Sequence, residues 1–253
     1  MALLKDQPIS CLADWMAYDT KLSILSEQES TSIEAKSRLA QNEIETQITS
    51  FLLRQSGLSE TAARQALDKV VVTEALSRWH SLLTLSLFYI DLASMQNSAL
   101  HRDQSRYFET KAEGAQAQLF DTGLGIVNQP IPKAPVPLII TSAGNNPQRF
   151  LRARIRFVDV DNAVGALSSE FLLDMTAGES IQLSVEALPT RCVGWLLYLG
   201  ETSEAMFLAT ANPVEAGISF EITSDIPSMD ATPMNRDAQL PDRFIRHTTE
   251  LWR

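Results

Sequence analysis

The sequence predicts an α+β chain: an N-terminal α-helical bundle built on a long helical hairpin, then an antiparallel β-sandwich and an extended C-terminal tail. Three observations carry this. Residues 70–123 read as two long helices with a turn near Asn97-Ser98, and the first is apolar around most of its circumference. Residues 128–137 hold four prolines in ten residues, a stiff and non-helical stretch. Beyond them the hydrophobic period falls from about 3.6 residues to about 2.

The N-terminal elements follow from spacing and caps. Leu12, Trp15, Met16, Leu22 and Leu25 line short helices interrupted at Asp19-Thr20. Ser30 or Thr31 caps the next helix, with Glu34 placed as in a capping box. Ile33, Ala40, Ile44, Ile48 and Phe51 form its apolar stripe, and Ser56-Gly57 ends it near Gln55. Ser59 opens a short helix, SETAARQAL. In the first hairpin helix Leu76, Trp79, Leu83, Leu87 and Ile90 form one face, widened by Leu82, Leu85, Phe88, Tyr89 and Leu92. A helix apolar nearly all round must be buried between neighbours, either its own helices or a second subunit. The inner side of its partner is expected at Leu100, Tyr107, Phe108, Lys111, Ala115 and Leu119, with Gly123 as a left-handed cap.

After the prolines, alternation marks strands at 151–157, 181–185 and 218–222. Gly194–Leu199 is apolar on both faces, as a central strand should be, and Trp195 is expected between two sheets. The expected organisation is a helical assembly domain over 1–127, a Pro-rich linker over 128–137, a sandwich over 138–225 and a docking tail over 226–253. Phe244, Ile245, Leu251 and Trp252 give the tail its apolar end.

Composition narrows the function. The chain has 253 residues, 45% of them hydrophobic, enough for one or two domains with a sizeable core. A net charge of −10, shared evenly by the two halves, argues against a broad nucleic-acid-binding surface. It does not exclude a protein that lets nucleic acid pass without holding it. Cys11 and Cys192 are expected as reduced thiols. The N-terminus has no signal-peptide run, and Ser81–Ile90 is too short to span a bilayer. A cytoplasmic chain, or one assembled in a cytoplasm, is expected.

Site chemistry is sparse. Neither common phosphate loop nor a Gly-x-Ser-x-Gly elbow occurs. His80, His101 and His247 lack metal-ligand spacing, and His101-Arg102-Asp103 lacks the partners of a kinase loop. Asp159 and Asp161 read as a loop at a strand end, with a Ca²⁺ site as the alternative. Arg152, Arg154 and Arg156 share a strand face, either solvated or meeting an acidic neighbour. No catalytic residue, metal or cofactor is assigned.

The helix Val70–Met95, the run RARIRFVDVDNAVGALSSE (152–170) and the strand GWLLYLGET (194–202) resemble neck proteins of tailed bacteriophages. These are head-to-tail adaptors, also called connector or head-completion proteins, in which a helical body carries an immunoglobulin- or fibronectin-III-like module. The β-module pattern covers about a third of the chain. The resemblance implies a virion protein assembled in the host cytoplasm. It would form a homo-oligomeric ring, usually a dodecamer, between the portal protein and the tail or tail-terminator protein. DNA would pass without specific binding, and no membrane is involved. Under it, Trp79, Leu83, Leu87, Phe88 and Tyr89 are expected between subunits. Arg152, Arg154 and Arg156 are candidate interface residues, and Phe244, Ile245, Leu251 and Trp252 would dock on the portal or an adjoining ring. The alternatives are another tail, decoration or baseplate protein, or a carbohydrate-binding sandwich with a helical anchor. The last is disfavoured because Phe150, Trp195, Tyr198 and Phe207 fall mostly at expected core positions.

Overall fold

The computed structural model describes the chain apart from residues 1, 7, 30, 57–58, 204, 223–231, 235–237 and 247–253, and the side chains of 55–56. It is a mixed α+β protein, with helices in the N-terminal half and antiparallel sheets in the C-terminal half. The chain divides into two compact units, Gln7–Asn128 with Pro241–Arg253 and Met1–Asp6 with Gln129–Leu240.

The first unit holds α1 (Leu12–Met16), α2 (Leu22–Gln28), α3 (Ile33–Ser56), α4 (Glu60–Leu67), α5 (Glu74–Gln96) and α6 (Ala99–Thr122). The expected hairpin is α5–α6. Thr73 caps α5 by accepting from the Leu76 amide, and Ser98 caps α6 by accepting from the His101 amide. Asn97 between them takes the left-handed conformation at φ 50°. The cap of α3 lies at Ser32 rather than Ser30 or Thr31, because the Ser32 hydroxyl accepts from the Ala35 amide at 3.2 Å.

α5 is covered by its own chain. Phe88, Leu85, Leu92, Tyr89 and Trp79 are all no more than 2% exposed. α6 closes one side: Ser86 and Ser105 exchange hydroxyl-to-carbonyl hydrogen bonds at 3.2 and 3.0 Å, which holds the helix backbones close. The Tyr89 and Phe108 rings stack 5.7 Å apart. α3 closes another, with Lys36 on Asp91 at 2.7 Å. The Phe120 ring lies 4.4 Å from Phe51 and 5.9 Å from Trp79, joining the three helices. The inner side of α6 runs through Ser105, Phe108, Ala112, Ala115 and Leu119. Leu100 and Tyr107, expected there, are 67% and 58% exposed. Small residues win those inward positions because the two helices approach closely.

The segment before α2 is pinned by a buried polar chain. The Trp15 indole donates to Ser10 Oγ at 2.7 Å, the Ser10 hydroxyl donates to His80 Nδ1 at 2.6 Å, and His80 Nε2 donates to the Ser37 carbonyl at 3.0 Å. The carbonyl can only accept, so Nε2 carries a proton, and burial, which lowers the pKa to about 4, keeps the ring neutral near pH 7 and leaves Nδ1 as the acceptor. Nearby, the Tyr89 hydroxyl donates to Asp19. Burial raises the Tyr89 pKa, and the Asp19 carboxylate raises it further.

The second unit holds two antiparallel sheets. One has the order β2 (Leu138–Ala143), β5 (Glu179–Ser184), β8 (Phe220–Ile222). The other has the order β4 (Phe171–Met175), β3 (Arg149–Asp159), β6 (Cys192–Gly200), β7 (Phe207–Leu208). Leu151, Ile155, Leu173, Ile181, Leu183 and Trp195 from both sheets share one buried cluster. Strand 218–222 is shorter than expected, since Ile218 lies outside β8 and is 55% exposed. The Pro-rich segment is not a free spacer: Ile131 and Ala134 are buried in the same cluster.

The tail is not wholly extended. β9 (Arg243–Ile245) pairs with β1 (Leu124–Ile126) in the helical unit, and Arg246 Nε donates to the Thr122 carbonyl at 3.0 Å. Gly123 lies between, at φ +115° rather than in the left-handed helical region, and an added Cβ would lie 2.8 Å from that of Phe244. The return of the tail therefore requires glycine there.

His80 supplies a prediction about pH. Burial is the main cause that lowers its pKa from 6.5 to about 4, against smaller raising effects of the Ser37 hydrogen bond and Asp14. The unfolded chain therefore binds the proton first. This contribution is intact above pH 6.5 and is lost as pH falls toward 4, by about 3 kcal/mol. Urea unfolding across that window should show a flatter pH dependence in His80→Gln. An unchanged slope contradicts the assignment.

Candidate assembly surface

Three sets of residues were expected at contacts, and the fold treats them differently. Trp79, Phe88 and Tyr89 are buried inside the helical unit and are not available to a partner. Leu83 and Leu87 are half-buried, and Ile90, one turn on, is 45% exposed. Spacings of four and three put these three on one face of α5. The apolar excess read from the sequence thus narrows to this stripe.

The three arginines of β3 are engaged within the chain. Arg152 and Arg154 both donate to Glu170, the latter at 3.4 Å, and Ser203 adds a bond at 3.1 Å. Burial pushes the Glu170 carboxyl up, but hydrogen bonds from Arg152, Ser203 and Arg154 outweigh it and hold the pKa below its ordinary value. Arg156 is only 8% exposed, with its guanidinium 4.9 Å from the Tyr198 ring centre and a hydrogen bond to the Tyr198 hydroxyl. The acidic neighbour that the arginine face asks for is Glu170 of the same chain, just before β4. An acid on a partner is not needed.

Phe244 is 52% exposed on β9, and Ile245 beside it is half-buried. Leu251 and Trp252 lie outside the described residues. The Ca²⁺ alternative at Asp159 and Asp161 does not fit. Asp159 is 6% exposed, its Oδ1 accepts from the amides of Asp161 and Ala163 at 2.9 and 2.8 Å, and Arg191 pairs with both carboxylates. Those oxygens are spent on a turn and a cation. Among the described residues no three His, Cys, Asp or Glu side chains are grouped to hold a metal. Cys11 and Cys192 are free thiols, and burial, then Asp159, pushes the Cys192 thiol up. Among the described residues no helix is long and apolar enough to cross a membrane.

Two surfaces were missed by the sequence. Phe150, expected in the core, is 65% exposed, as is Leu172 on the neighbouring strand. Phe150 precedes the buried Leu151 on the strand, so alternation turns it outward. Larger is β2, whose six residues are all exposed. It pairs with β5 alone, so its other edge carries no partner among the described residues. Leu138, Ile139 and Ile140 are 51%, 38% and 44% exposed. A run of three apolar residues has no period, which is why it gave no strand signal.

The chain matches no protein-family profile, and no curated protein matches it in sequence.

Burial separates the α5 residues in a measurable way. Trp79→Ala should destabilise the chain by about 3–5 kcal/mol. Ile90→Asp should cost less than about 1 kcal/mol. Equal losses in urea unfolding would contradict the division into covered face and open stripe.

Proposed function

We propose that the chain is a structural, non-enzymatic subunit of a tailed-bacteriophage neck. In this reading it forms a ring adaptor between portal and tail and continues the DNA channel. The observation that carries the assembly role is β2, a strand exposed at every residue with one edge unpaired among the described residues. Natural edge strands are blunted by charge, proline or a bulge, and an unguarded one is a contact surface. The Leu83–Leu87–Ile90 stripe offers a second contact, and Phe244 a third.

The neck assignment rests on the resemblance of Val70–Met95, 152–170 and 194–202. Strand order supports its immunoglobulin- or fibronectin-III-like part except at β8. β2-β5-β8 form one sheet and β4-β3-β6-β7 the other; β8, which follows β7 in the chain, departs from the immunoglobulin order. In immunoglobulin-type domains strand B likewise pairs with E, opposite a sheet ordered C′-C-F-G. A net charge of −10 suits a conduit, since like charge keeps duplex DNA from adhering to the wall.

Native mass spectrometry and negative-stain microscopy of the full chain, with and without a purified portal ring, test this reading. Ring-sized oligomers or a portal-bound ring are expected. A stable monomer that ignores the portal sinks it.

A further inference from the structure

We draw no further inference here: the strongest candidate, the apolar stripe of Leu83, Leu87 and Ile90 along α5, carries nothing because nothing in the structure shows what covers it.

Discussion

The structure depends on covering α5. A helix with Trp79, Leu82, Leu85, Phe88, Tyr89 and Leu92 around its circumference cannot stand at a surface. The chain wraps it from several sides: α6 along its length, α3 across the Lys36–Asp91 face, and the N-terminal segment through Trp15, Ser10 and His80. Most polar groups in this interior are paired rather than removed, although the buried Thr84 hydroxyl on α5 finds no partner among the described residues. Ser86 with Ser105, His80 with Ser10 and Ser37, and Tyr89 with Asp19 each satisfy a donor that burial would otherwise strand. Such pairs fix the register of the helices more narrowly than apolar contact alone.

This coverage moves the weight of any assembly away from the hairpin interior. The sequence alone left two ways to bury α5, its own helices or a second subunit. The first accounts for Trp79, Phe88 and Tyr89, and leaves the Leu83–Leu87–Ile90 stripe, with Met95 near the helix end, for the second. The sheet unit, by contrast, has a whole strand uncovered. The chain also passes between the two units three times, after residues 6, 128 and 240. The last passage returns β9 to β1, which ties the C-terminal part of the chain to the end of α6.

The helices were legible because each carries both a period and a stop. Ser59, Asn97 and Ser98 are local signals that need no tertiary information, whereas the Thr73 cap went unread and α5 starts at Glu74 rather than at Val70, which bridges Ile126. The core strands β3, β5 and β6 were legible because alternation against a shared core is strong. What was hidden had no local signal. β2 is an apolar run before Thr141 and Ser142, β4 is short, and β1 and β9 are three-residue strands made by a contact between distant parts of the chain. Glu170 could not be assigned to Arg152 and Arg154 from spacing, because the register of β3 against β4 places it. Leu100 and Tyr107 misled because a stripe of large residues looks like an inner face, whereas close helix packing favours Ser105 and Ala112.

Native-state hydrogen exchange on the free chain tests the central claim most directly, namely that the chain satisfies its own hairpin and leaves β2 open. The account predicts that amides within Leu82–Leu92 exchange only through global unfolding, while those of Leu138–Ala143 on the free edge exchange orders of magnitude faster. Fast exchange across α5 in the isolated chain, with protection appearing only on association, would contradict it and return the hairpin to a surface shared between subunits.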